Sequence, residues 1–249
     1  KKYGVVPSWV MPETVHSTGT AKYLPILNRK LREDALELRA LVREGKVPSA
    51  RREEMLAEVY NALRILYGQP PKTFDFEYTD TDKVYHCDRG LTPKQFLDKY
   101  VGSDFDDYAV IIASPIHAVN RPYCQPFMGD VVEDGMFWLN LSQEELEDLT
   151  IRQLQAGEGV MFSCDCHPDG DRANGYWDPD CFQYGEVLGG LTFGMTKSER
   201  LLTRDSTMNH CMMFCGVNLD ENGTANRWKI ENSWGEESGQ KGYYIGSEK

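Results

Sequence analysis

A chain of 249 residues with 41% hydrophobic content can bury one large or two modest cores. Its formal net charge of −12 argues against a nucleic-acid binder, because counterion release needs a basic surface. No apolar run is long enough to span a bilayer, and the seven cysteines are odd in number and irregularly spaced, so free thiols in a reducing compartment are expected, with cytoplasm as the default.

Residues 1–20 read as loop, punctuated by Pro7, Pro12 and Gly19. Two helices are predicted over 21–68. In the first, Leu24, Leu27, Leu31, Leu38 and Leu41 form a stripe near the 3.6 period, broken by Gly45 and Pro48. In the second, Met55, Val59, Leu63 and Leu66 recur, with Ser49 as a cap and Gly68 as a stop. Both stripes are expected to be buried against a core. Residues 74–78 alternate as a strand does. Thr92-Pro93-Lys94-Gln95 is a capping box with proline at the first helical position, opening a helix to about Tyr100.

Residues 108–113 read as a buried strand, and Ser142 with Glu145 caps a helix to about Gln155. Residues 160–164 are a strand, and 166–190 a long loop. Within 164–167, Cys164, Asp165, Cys166 and His167 lie close in sequence, but tetrahedral zinc wants two well-separated ligand pairs, so no metal site is expected. His16, His86 and His117 show no carboxylate or thiol placed beside them. From about residue 104 onward strands dominate around one capped helix.

The chemistry gathers between His210 and Gly235. Two apolar strands flank Asp220-Glu221-Asn222-Gly223, a hairpin signal. The first strand begins with His210, and the second ends at Asn232, so the hairpin brings imidazole and carboxamide together. A carboxamide oxygen accepts one ring N–H and fixes the tautomer, leaving the other nitrogen for a nucleophile. Trp234 can cover that bond. The competing reading is a histidine and an asparagine that only satisfy backbone groups. Cys211 is adjacent to His210, and Cys215 is five residues on. Both are expected on the opposite face of a regular strand and are read as small core hydrophobes rather than nucleophiles.

Further motifs carry a resemblance. Lys2-Tyr3-Gly4-Val5-Val6-Pro7, Met11-Pro12-Glu13-Thr14, Leu139-Asn140-Leu141, Lys197-Ser198-Glu199-Arg200-Leu201, Met208-Asn209-His210 and Arg227-Trp228-Lys229-Ile230-Glu231-Asn232-Ser233-Trp234-Gly235 resemble the bleomycin hydrolase and aminopeptidase C family of papain-like cysteine peptidases. The resemblance implies an α+β papain-like fold in three parts. Residues 1–20 end its first half, 21–103 are an inserted helical region, and 104–249 form a barrel-like β half carrying His210 and Asn232. It also implies a Cys-His-Asn mechanism on peptide substrates with no cofactor and no metal, Trp234 in support, and often a hexamer.

In that family the nucleophilic cysteine lies upstream of the Lys-Tyr-Gly-Val-Val-Pro stretch at which this sequence begins. The chain is therefore expected to be the downstream part of a cysteine aminopeptidase whose cysteine comes from an upstream segment or a second chain. The alternatives are a catalytically inactive papain-like subunit acting in assembly or binding, and an endopeptidase of the same branch.

Overall fold

The computed structural model describes residues 2–102, 107–125, 136–166 and 170–248. Two compact units divide the chain, residues 1–108 and 109–249. Among the described residues no helix is long and apolar enough to cross a membrane.

The first unit holds helices α1 (Leu24–Arg43) and α2 (Ser49–Tyr67), then the antiparallel hairpin β1 (Phe74–Thr79) and β2 (Tyr85–Leu91). Helix α3 (Pro93–Phe96) follows and runs on as a π-helical turn to Val101. The predicted capping box is present: Gln95 N–H donates to Thr92 Oγ1 at 3.2 Å, and Thr92 N–H to Gln95 Oε1 at 2.9 Å. Two expectations need correction. Ser49 caps nothing, because the chain already turns helically at Pro48. The leucine stripes are only partly covered: Met55 is buried, but Leu24 and Leu31 are exposed. The two helices meet along a narrow seam. Ion pairs from Lys30 to Glu58 and from Arg51 to Glu37 flank it, but such half-exposed pairs contribute little.

His86 also departs from expectation. Its Nε2 lies 2.7 Å from Asp80 Oδ2, and its ring stacks on Tyr78. The hairpin creates this pair, which residue spacing alone does not reveal. The imidazole and the N–H groups of Val84 and Asp82 hold the Asp80 carboxyl below its usual range.

The second unit begins with β3 (Val110–Ile112), β4 (Arg121–Gln125) and β5 (Met136–Asn140). They form a three-stranded sheet in the order β3-β5-β4, with β3 parallel and β4 antiparallel to β5. Strand β3 is shorter than predicted and is an edge strand, with Val110 exposed rather than buried. Asn140 is wholly buried. Its Oδ1 accepts from Ser114 N–H at 2.8 Å, while its Nδ2 faces the carbonyls of Ser114, His117 and Ala118 at 3.1–3.3 Å. One amide side chain thus replaces the ladder that residues 114–118 lack.

Helix α4 (Gln143–Gln155) carries the predicted capping box of Ser142 and Glu145. The remaining strands are β6 (Val160–Cys164), β7 (Gly170–Asp171), β8 (Tyr176–Trp177), β9 (His210–Leu219), β10 (Ala225–Glu231) and β11 (Tyr243–Ser247). They build a six-stranded sheet in the order β6-β9-β10-β11-β8-β7, antiparallel except where β8 meets β11. The core gathers Met212, Ala225, Trp228, Ile230 and Tyr244, with Ile151 and Leu154 of α4 packed against it.

The region read as a long loop contains β7, β8, a 3-10 turn at Pro179–Cys181 and helix α5 (Tyr184–Val187). A second capped helix, α6 (Lys197–Thr203), joins α4, with a capping box of Thr196 and Glu199.

Candidate active site

Strands β9 and β10 pair through the predicted turn. Asp220 Oδ1 accepts from Asn222 N–H at 2.8 Å and from Thr224 N–H at 2.9 Å. Gly223 takes the positive φ of 81° that this turn requires. The pairing is not uniform. One bulge adds Asn226 to β10, and a second adds Cys215 to β9.

His210 opens β9, and Asn232 follows the last residue of β10. Asn232 is anchored through its own backbone, whose N–H donates to Gly242 O at 3.0 Å. His210 Nε2 lies 2.7 Å from Asn232 Oδ1, inside hydrogen-bond reach. The proton positions follow from chemistry. The same Asn232 oxygen accepts from Ser233 N–H at 2.8 Å, and a backbone N–H can only donate. That end of the amide is therefore the carbonyl, Nε2 carries the proton it donates, and the neutral ring keeps Nδ1 as its free basic atom.

Trp234 stacks on the His210 ring with centroids 4.8 Å apart and planes at 21°. Trp177 and Tyr244 flank the same indole at 6.0 and 5.8 Å, and the Arg172 guanidinium lies 4.0 Å from its ring centroid. Asn209, the residue before His210, is held as firmly. Asn209 N–H donates to Cys164 O at 3.0 Å, its Oδ1 accepts from Cys166 N–H at 3.2 Å, and its Nδ2 donates to Asp165 Oδ1 at 2.6 Å. Trp177 Nε1 donates to Cys166 O at 3.0 Å. The 164–166 turn is thereby joined to the start of β9 on one side and to β8 on the other.

The structure brings all three expected residues, His210, Asn232 and Trp234, into one contact set. Asn209, Trp177 and Arg172 join them without having been singled out for it. Asn209 sits in the Met-Asn-His run beside His210, which is a usable signal. The other two reach the site through pairings far apart in sequence.

The thiols need one correction. Cys211 and Cys215 are exposed, not core. The face opposite His210 at this edge looks outward, and Cys215 is the bulged residue, its Sγ 3.4 Å from Lys229 O. Burial pushes the Cys164 thiol up to about 11 and raises that of Cys166, the wrong direction for a nucleophile. Of the run weighed as a metal site, His167 lies outside the described residues. Among the described residues no group of three His, Cys, Asp or Glu side chains is placed to hold a metal ion.

A sheet that pairs an imidazole with a carboxamide under an indole, with a helix packed on its core, is the β half of a papain-like α+β fold. The chain belongs to the Peptidase C1-like family, which it matches over residues 1–249. It is 43% identical over 249 residues to Aminopeptidase E of Lactobacillus helveticus, covering 98% of this chain and 56% of that protein. Aminopeptidase C of Listeria innocua is 40% identical over 251 residues, covering 100% of this chain and 56% of the relative. The crystal structure of pepw from Lactobacillus rhamnosis superposes with a TM-score of 0.93 at 43% identity, over 99% of this chain and 56% of that one. The chain thus spans little more than half the length of these relatives.

Proposed function

We propose that this chain supplies the base half of a cysteine aminopeptidase, with the nucleophilic cysteine coming from outside it. The observation that carries this reading is the 2.7 Å bond from His210 Nε2 to Asn232 Oδ1, which leaves Nδ1 free. A thiol placed at Nδ1 gives its proton to the imidazole. The thiolate attacks the peptide carbonyl and forms a tetrahedral oxyanion. As that collapses, the imidazolium protonates the leaving amine and an acyl-enzyme remains. Water, deprotonated by the same histidine, then releases the acid and restores the thiol. Asn232 keeps the Nε2 proton and the ring's orientation fixed while Nδ1 gains and loses its proton, the arrangement of the Cys-His-Asn variant of the serine triad. Action near the N-terminus of peptides is inferred from the relatives' names, Aminopeptidase E and Aminopeptidase C.

The test uses an aminoacyl-fluorophore substrate with and without a thiol alkylator. The 249-residue chain by itself should give no turnover, because an imidazole without a nucleophile has little leverage on an amide. Adding the segment that brings the cysteine, in cis or as a second chain, should create alkylator-sensitive activity. Turnover by the isolated chain would place the nucleophile among its own seven cysteines. Failure of every assembled form to turn over would favour the inactive-subunit reading.

Trp234 supports the reading through what it covers. The indole keeps water from competing for the His210–Asn232 bond. In the assembled enzyme Trp234→Ala should lower kcat by about five- to tenfold, the worth of one exposed hydrogen bond, with a smaller change in KM. Trp234→Phe, which keeps a ring over the imidazole, should recover most of the loss. An equal kcat for Trp234→Ala and the parent enzyme would end the shielding role.

A further inference from the structure

The contact between Arg172 and Trp234 has no part in the chemistry just described. Arg172 lies in the turn between β7 and β8, and this turn is well fixed. Asp171 accepts from Asn174 N–H at 3.1 Å and from Asn174 Nδ2 at 2.7 Å, and Gly175 N–H donates to Asp171 O at 2.8 Å. Gly175 has φ +79°, and a Cβ there would come within 2.9 Å of Gly239 Cα, so the turn is seated against its neighbour. Ile245 N–H donates to Gly175 O at 2.9 Å and ties the turn to β11. An exposed arginine is therefore carried on an ordered support to the ring that covers the base.

The Arg172 guanidinium carbon lies over the indole, 4.0 Å from the ring centroid. The guanidinium has five N–H donors in one plane and the indole offers no lone pair to them, so donors remain for a planar acceptor. Carboxylate is the acceptor whose geometry matches that fork. The chain as a whole has 39 acidic against 27 basic residues, so its general field repels such a ligand, and a fixed cation is what would hold one locally.

The position of the base indicates which carboxylate. His210 gives its proton to the leaving nitrogen, so the leaving fragment starts at the imidazole. Trp234 lies against that imidazole and Arg172 against Trp234. The indole thus places one cation a single ring away from the imidazole at which the leaving fragment starts. We propose that Arg172, stacked on Trp234, forms a carboxylate-binding subsite on the leaving-group side of the His210–Asn232 pair. The enzyme would then favour peptides whose leaving fragment carries a carboxylate next to the scissile bond. That group is either the free α-carboxylate of a dipeptide or the side chain of an aspartate or glutamate in the first leaving position. This inference rests on the reading of His210 as the proton donor to the leaving amine.

The test compares three substrates with the same N-terminal residue on the full-length enzyme that contains this chain: a dipeptide acid ending in alanine, its C-terminal amide, and a dipeptide amide ending in aspartate. The acid should exceed the alanine amide in kcat/KM by about tenfold, as expected for one partly exposed charge-assisted pair. The aspartate amide shows whether a side-chain carboxylate serves as well. In Arg172→Gln the acid-to-amide ratio should fall to about one, and in Arg172→Lys, which keeps the charge but not the fork, it should be intermediate. An unchanged ratio in Arg172→Gln, or no preference in the parent enzyme, overturns the subsite. Dissociation constants of the same three peptides, measured by calorimetry on the full-length protein, make the same comparison without turnover. If no alkylator-sensitive hydrolysis is found, the Cys-His-Asn reading fails. The calorimetric ratio still decides the subsite.

Discussion

In the assembled enzyme His210→Ala is expected to lower kcat by roughly 10⁴-fold, the upper end of what a positioned acid–base group contributes, with no loss of fold. Two roles fall together. The thiol loses the imidazolium that stabilises its thiolate, and the leaving amine loses its proton source. The first can be read separately, as the rate of thiol alkylation near pH 6, which should drop sharply in the variant. Asn232→Ala should be milder, about 10- to 100-fold, because a loosened base still visits the productive orientation. An alkylation rate and a kcat that both survive His210→Ala would remove His210 from the mechanism.

The largest effect on stability is expected at Asn140, in the other sheet of the same unit. Its side chain satisfies one backbone N–H and faces three carbonyls of the 114–118 segment. Asn140→Ala should destabilise by about 3 kcal/mol, since it takes the partner from the Ser114 N–H and the His117 carbonyl and opens a cavity where a wholly buried side chain stood. For a unit of this size that is roughly a 6–12 °C fall in Tm, readable by thermal or urea unfolding of the chain. Asn140→Leu separates the two causes. If it is as unstable as the alanine variant, the hydrogen bonds dominate. If it restores stability, the cost was one of packing, and the account of the 114–118 segment is wrong.

How far the sequence foretold the molecule depends on how local each instruction is. Helices α1 and α2 were legible from periodicity and α4 from its cap, and the Thr92 and Ser142 boxes form as read. The His210–Asn232 pair was legible because a hairpin is local and Asn222-Gly223 marks its turn. Strand β2 was missed because Tyr85-His86-Cys87-Asp88-Arg89-Gly90-Leu91 alternates poorly and contains a glycine. Strands β7 and β8 were missed because each has two residues, and what defines β8 is its pairing with β11. Cys211 was placed correctly away from His210, yet its exposure could not be read. Alternation says which residues share a face, not which face meets a core. Trp177 and Arg172 reach the His210 site through such distant pairings, whereas Asn209 is its neighbour in sequence.

The two bulges between His210 and Asn232 leave the pairing in step. Asn226 shifts the β9–β10 pairing by one residue, and Cys215 shifts it back, so Ile230 and Glu231 oppose Phe214 and Met213 in the same sense in which Ala225 opposes Leu219. Each extra residue is unpaired, so the partners on either side of it still share a face, and what a bulge adds is bend and twist. Removing Cys215 would make Gly216 and Phe214 neighbours opposite Lys229 and Ile230, a regular ladder with the same faces. The bulges therefore bear on the angle at which imidazole meets carboxamide, and not on the side of the sheet where they meet.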